Sequence, residues 1–271
     1  MPARSFVSVM NQPEHKINIA EASLVFASEM HPGVDVDLYL DKIQALAARA
    51  SDVIRGAAGD LACLALSRFL FDEMGYSGNI ANYHDPRNSY LNSVIDRRLG
   101  IPISLCTLFV EVGRRAGLEL CGVGFPGHFL ARHVGTGMVI DCFNGGKILS
   151  REDCVKLLEQ MYGADASFDD RFLVPARPRE TIVRMLNNLK FSYANAQDYE
   201  DSLRIIRLID VAWPNLPENV RDRGLVEMAL QQFPLALKDL VEYTRLAPEA
   251  SDQEEIQKRI QQLKKAMTSF N

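Results

Sequence analysis

His128 and Asp141 sit in settings that call for a chemical explanation. His128 follows a glycine turn in Gly124-Phe125-Pro126-Gly127-His128-Phe129-Leu130, and Asp141 interrupts the apolar run Met138-Val139-Ile140-Asp141-Cys142. A carboxylate turned inward from such a run needs a partner, because burying an unpaired charge is costly. If the two segments are adjacent antiparallel strands, the imidazole and the carboxylate can lie side by side. Such a pair can serve a nucleophile as base and orienting group. A hydroxyl needs stronger activation than a thiol, which reacts as its thiolate. The competing reading makes Cys106 a small buried apolar residue and His128 a hydrogen-bonded structural histidine.

Several elements must position these residues. Three β-type segments are predicted at Glu119–Phe125, His128–Val134 and Met138–Phe143, with Gly135-Thr136-Gly137 turning between the last two. Ahead of them, Pro102 and Ser104 open an apolar helix that reaches Ala116 and stops at Gly117. Ser89–Leu99 places Leu91, Val94, Ile95 and Leu99 on one helical face and ends at Gly100, read as a glycine stop. Upstream, helical spacing covers Lys16–Met30, a second stripe through Val36, Leu40, Ile43, Leu46 and Ala47, and the segment Ala57–Phe71. Asn79–Asn88, with Asp85-Pro86-Arg87-Asn88, is a turn-rich separator. A helix over Ser150–Tyr162 closes the domain, and Pro175 and Pro178 mark its boundary. The expected domains are 1–178 and 179–271.

The second of these reads as helix throughout and repeats itself. Leu186, Tyr199, Ser202, Ile206 and Pro214 match Val220, Phe233, Ala236, Leu240 and Pro248 at an offset of about 34 residues, the period of tetratricopeptide repeats. An aromatic near the turn fills the gap between paired helices, and a small residue lets them approach. Gly224 takes the small position in the second repeat, where Lys190 departs from it in the first. Asp252–Met267, apolar at Ile256, Ile260 and Leu263, reads as a capping helix. Two repeats and a cap are few for a free-standing solenoid, so they either pack on the first domain or offer a partner groove.

Composition narrows the function classes. Hydrophobic residues make up 47% and charged residues 24%, which suits a folded chain. A net charge of -5, with both signs interspersed, gives no footprint for nucleic acid or for an anionic membrane. Apolar stretches fall short of a membrane span, and Met1–Asn11 lacks the pattern of a secretory leader, so a cytoplasmic protein is expected. Cys63, Cys106, Cys121, Cys142 and Cys154 form no CxxC pair, so neither a disulfide framework nor a metal site is expected, and no cofactor.

Three strings, Asp85-Pro86-Arg87-Asn88-Ser89, Arg97-Arg98-Leu99-Gly100-Ile101-Pro102-Ile103-Ser104-Leu105 and Gly124-Phe125-Pro126-Gly127-His128-Phe129, together resemble the SirB-type bacterial family. There a transglutaminase-like domain precedes tetratricopeptide repeats. The resemblance spans nearly the whole chain and implies an α+β fold: a helical bundle on a small antiparallel sheet with a papain-like core, then an all-α array. It also implies a triad of Cys at a helix start, His on one strand and Asp on the next, which maps His128 and Asp141 onto the last two places. The helix-start string Gly-x-Cys corresponds here to Gly100-Ile101-Pro102, so the expected sulfur position holds proline. Cys106 lies about one helical turn, 5.4 Å, further along. The resemblance therefore points to a non-catalytic protein that binds a protein or peptide through its pocket or repeats. The alternative is a cysteine-dependent hydrolase or acyltransferase using Cys106, or Ser104, with His128 and Asp141. Tyr83, Arg87 and Asn88, around the capped turn, are the ligand-binding candidates.

Overall fold

The computed structural model describes residues 4–269. The expectation built on Met1–Asn11 and the outer limits of both expected domains extend beyond that range. The chain divides into two compact units, Met1–Met185 and Leu186–Asn271. The sequence puts the boundary at Pro178, where a helix begins, and the units divide within that helix.

In the first unit, local capping explains where the early helices start. The side chains of Ser5, Asn18 and Asp35 accept from the backbone N–H three residues on, opening α1 (Phe6–Met10), α2 (Ile19–Met30) and α3 (Val36–Val53). Helix α2 is buried along most of its length, from Ala20 and Ala22 to Phe26 and Ala27. The segment expected as one helix over Ala57–Phe71 is α4 (Gly59–Ser67) followed by a π-helical stretch, Arg68–Glu73. That wider turn sets Phe71 against Phe109 in a stacked pair with centroids 5.9 Å apart.

Helix α5 (Leu91–Arg97) ends two residues earlier than expected. Arg98 takes the left-handed turn at φ 58°, and Leu99–Gly100 forms strand β2, paired in parallel with β1 (Ser77–Gly78). Gly100 is therefore not the helix stop. A side chain there would meet Ser104 Oγ at 2.8 Å and Leu105 Cγ at 2.9 Å, so glycine serves close approach instead. Helix α6 (Pro102–Arg115) follows with Pro102 at its first position. From Pro102 to Phe109 it is entirely buried, the central helix of the unit.

Against it lies an antiparallel sheet in sequential order, β3 (Leu120–Val123), β4 (Leu130–His133), β5 (Val139–Asp141) and β6 (Lys147–Leu149). Leu120 faces His133 across β3 and β4, and Ile140 lies between Ala131 on β4 and Ile148 on β6. β6 was not anticipated: three residues behind Gly145-Gly146 carry no alternation to read. Helix α7 (Arg151–Tyr162), capped by Ser150, adds Cys154 and Leu158 to a cluster with Val123, Phe125, Leu130, Val139 and Leu149.

The second unit is all helix. After α8 (Pro178–Asn195), which carries the chain across the division, come α9 (Tyr199–Ala212), α10 (Pro217–Ala229), α11 (Phe233–Leu246) and α12 (Gln253–Ser269). Left-handed turns at Gln197, Asn215 and Gln231, each with φ 59°, link successive helices. Val220, Ala236, Leu240, Tyr243, Ile256, Ile260 and Leu263 form one core, and Leu203, Ile206 and Val226 another. A side chain at Gly224 would meet Leu240 Cδ2 at 2.8 Å, the close approach its place in the repeat implies.

Candidate functional site

The turn after β3 and the end of β5 bring the imidazole and carboxylate together. His128 Nε2 lies 2.9 Å from Asp141 Oδ1, and both side chains are buried. His128 itself precedes β4 rather than opening it, because Pro126 and Gly127 keep the chain turning and strand pairing resumes only at Leu130. Gly127 has φ 66°, and a side chain there would strike Met161 Sδ at 2.6 Å.

Asp141 is held from several sides. The backbone N–H groups of Phe143 and Asn144 donate to Oδ1 at 3.1 and 3.3 Å, and Asn144 Nδ2 donates to Oδ2 at 2.7 Å. Burial pushes this carboxyl up, but the hydrogen bond and charge of His128 and the bonds from Asn144 outweigh it and hold it below the usual aspartate value. The pair is thus a fixed imidazole with an ionised acceptor on Nε2. His128 Nδ1 has no hydrogen-bond partner among the described residues.

The entrance of α6 lies close by. The Phe143 ring meets the His128 ring edge-on with centroids 6.2 Å apart, and it fills the space a side chain at Gly78 would take, 2.6 Å from that position. Gly78 pairs with Gly100, two residues before Pro102. Both candidate nucleophiles further along α6 are buried. Ser104 Oγ donates toward the carbonyls of Asn88 at 2.6 Å and Ile101 at 3.1 Å, and accepts from Ile101 N–H at 3.1 Å; the side chain is fully buried. It closes the first turn of α6 rather than facing a substrate.

Cys106 Sγ donates to the carbonyl of Phe129 at 3.3 Å and is also fully buried. It neighbours Cys142, whose thiol is pushed well above the usual range by burial, then by the hydrogen bond and charge of Cys106, with Asp141 adding to it. All five cysteines are free thiols. Among the described residues, no group of three or more His, Cys, Asp and Glu side chains is arranged to hold a metal ion.

Of the ligand-binding candidates, Asn88 is committed to the fold. Its Nδ2 donates to the carbonyls of Asn82 and Tyr83 at 2.7 and 3.2 Å, and its Oδ1 accepts from Asn79 Nδ2 and Arg97 Nη1 at 3.0 and 3.3 Å. Two donors and two acceptor sites are all an amide has, so nothing is left for a ligand. Tyr83 and Arg87 differ: with Ala81, Asn82, His84 and Asp85 they line an open groove of about 510 Å³. Arg87 grips Asp85 through Nε and Nη2, and Tyr83 packs its ring on Phe143 at 5.8 Å.

One residue beside the pair escaped the sequence reading. Arg184, near the start of α8, donates from Nη2 to the carbonyl oxygens of His128 at 2.6 Å and Phe125 at 3.1 Å. An arginine on a helix face more than fifty residues from the turn it grips leaves no local trace in sequence.

Comparison with known proteins assigns the two parts of the chain. Residues 37–187 match the transglutaminase-like superfamily, and residues 189–261 match the tetratricopeptide repeat. A UPF0162 protein of Xylella fastidiosa strain Temecula1 is 40% identical over 242 residues, covering 87% of this chain and 86% of that protein. A UPF0162 protein of Vibrio cholerae is 32% identical over 178 residues, 65% of this chain and 66% of that protein. The human F-box only protein 21 is 28% identical over 173 residues, 58% of this chain and 26% of that protein. No helix among the described residues is long and apolar enough to cross a membrane. With an imidazole–carboxylate pair at the end of a short antiparallel sheet, beside the start of a buried helix and ahead of repeated helical pairs, this chain belongs to the transglutaminase-like superfamily, in the group of bacterial UPF0162 proteins that continue into tetratricopeptide repeats.

Proposed function

We propose that this chain is a non-catalytic transglutaminase-like protein that works as a protein- or peptide-binding module. The observation that carries this reading lies along α6. Its first position is Pro102, which has no nucleophilic atom, and the two hydroxyl and thiol groups nearest it, Ser104 and Cys106, are fully buried with their hydrogens directed at backbone carbonyls. A nucleophile must be within about 3 Å of its base and open to substrate, and a buried thiol held as a neutral donor is inert. The tetratricopeptide repeats support the binding half of the reading, since stacked helical repeats build extended surfaces for other chains.

Two measurements test the loss of catalysis. Incubation with an activated ester such as p-nitrophenyl acetate, followed by intact mass and peptide mapping, should leave Cys106 and Ser104 unmodified. An acyl adduct on either that vanishes in His128→Ala would overturn the proposal. Conversely, Pro102→Cys should place a thiol at a helix N-terminus beside a fixed imidazole. Its iodoacetamide reaction should titrate below the ordinary thiol value of about 8.5, and His128→Ala should return it upward.

A further inference from the structure

Arg184 is charged, partly buried and without an acidic partner. Arg97, Arg115, Arg179, Arg221 and Arg223, with side chains 25% to 29% exposed, each pair with at least one carboxylate. Arg184 forms no ion pair among the described residues, and its hydrogen bonds go to two backbone carbonyls through Nη2 alone. A guanidinium carries five N–H donors in a planar fork, so Nε and Nη1 remain without an acceptor. Arg132 also bonds a backbone carbonyl, but its neighbours do not converge on a site.

Around Arg184 they do. Its guanidinium lies over the Phe129 ring at 5.5 Å, and burial pulls it below its usual value. The groups near enough to counter this are the phenols of Tyr162 and Tyr83 and the thiol of Cys106, none of them a carboxylate. Tyr83 closes a circuit: its ring packs on Phe143, the Phe143 ring packs on His128, and the His128 carbonyl is held by Arg184. Tyr162 lies over the Gly127 turn, 3.4 Å from the position a side chain there would take. Tyr83 and Tyr162 are exposed, at 41% and 61%, as are Ile80 and Met161 beside them in sequence. The nearby acid, Asp141, is already occupied by His128 and Asn144 and cannot serve as counter-ion.

We infer that the surface beside His128 binds a side-chain carboxylate of an acidic peptide, with the unpaired Nη1 of Arg184 as its anchor and Tyr83 and Tyr162 flanking the peptide. This rests on the reading above that the superfamily site has become a binding site. With Nη2 held by the two carbonyls, Nη1 offers a carboxylate a charge-assisted hydrogen bond, which is roughly twice as strong as a neutral one. Exposed aromatics on both sides suit a chain passing across the site with one acidic side chain reaching in.

The test is a titration of the full chain with Ac-Gly-Glu-Gly-amide, both ends blocked, followed by NMR of the Arg184 and His128 side chains. The glutamate peptide should shift both, and Ac-Gly-Gln-Gly-amide should bind about ten-fold or more weaker, since loss of the charged contact is worth at least ~1.4 kcal/mol. Arg184→Gln should abolish the difference between the two peptides. Because that change also releases the 125–128 turn, Arg184→Lys provides a second readout: the charge stays, the Nη1 donor is lost, and the glutamate preference should fall several-fold. Equal binding of the two peptides, an unchanged preference in both variants, or tighter binding of Ac-Gly-Gly-Gly with a free terminal carboxylate would each overturn the assignment. A protein that ignores the glutamate peptide yet resists acylation would lose this inference and keep the non-catalytic reading. Acylation at Cys106 would remove the non-catalytic reading and this inference with it.

Discussion

Two buried carboxylates, one in each unit, are treated in opposite ways. Around Asp141, every hydrogen-bonding need is met within a few residues or by His128, and the carboxyl is held below its usual value. In the repeats, Arg223 on α10 reaches Asp210 on α9 and Asp239 on α11, binding three helices together. Yet Glu227, one turn further along α10, keeps an Oε2 with no partner, and Asn219 Oδ1 is likewise unmet. Burial raises Glu227 to about 7, Asp239 adds to the rise, and Arg223, Arg207 and Lys238 offset part of it. The first unit spends local backbone donors on a charge it keeps ionised, whereas the second leaves a buried acid to be neutralised by protonation. Satisfied groups fix geometry; unmet ones make stability conditional on solution.

The comparison breaks first at Asp141. Asp141→Ala should destabilise the first unit by about 3–5 kcal/mol, because it strands His128 Nε2 and three donors from Phe143 and Asn144. Amide exchange in β4 and β5 reads this directly, and protection close to wild type would show that the pair does not organise the sheet. In the second unit, Gly224→Ala should cost about 1–3 kcal/mol through overpacking on Leu240 and the Ala236 carbonyl. Trp213, the one tryptophan in the sequence, sits at the end of α9 and reports that unfolding by fluorescence.

The pH slopes of the two units should have opposite signs. Asp141 has a lowered folded value, so its contribution is present above the ordinary aspartate range and lost as pH falls through the folded value. Glu227 has a raised folded value: the folded repeats hold a proton that the unfolded chain releases, so stability declines as pH climbs from 4.5 toward about 7. Glu227→Gln should remove a slope of about 1–2 kcal/mol over that window, allowing for solvent screening. A Trp213 unfolding midpoint with the same pH dependence in both proteins would refute it. The smallest effect belongs to Arg87→Ala, where a largely exposed arginine leaves Asp85 with Arg97 still in reach; the urea unfolding midpoint should stay close to that of the parent protein.

Much of this was readable before any coordinates. The repeat offset located Gly224 and the capping helix, because helix pairing imposes a fixed period on small and aromatic residues. Asp141 betrayed its partner because an acid in an apolar strand has few physical explanations. What stayed hidden depended on contacts remote in sequence or on very short elements. β6 is three residues long, α1 is five, and Arg184 acts across more than fifty residues. Ser104 and Asn88 looked like reactive or ligand-facing groups because residue type alone does not reveal that Ser104 bonds the carbonyls of Asn88 and Ile101, and Asn88 those of Asn82 and Tyr83.

The π-helical turn at Arg68–Glu73 has a consequence for how this chain can change over generations. It accommodates one residue more per turn than the helix leading into it, which carries the Phe71 ring to the site opposite Gly146, 2.5 Å from where a side chain on that glycine would stand. Removing a single amino acid there would return the segment to α-helical winding, so the wide turn that seats Phe71 between Phe109 and Gly146 depends on the number of residues at 68–73 as much as on their identity.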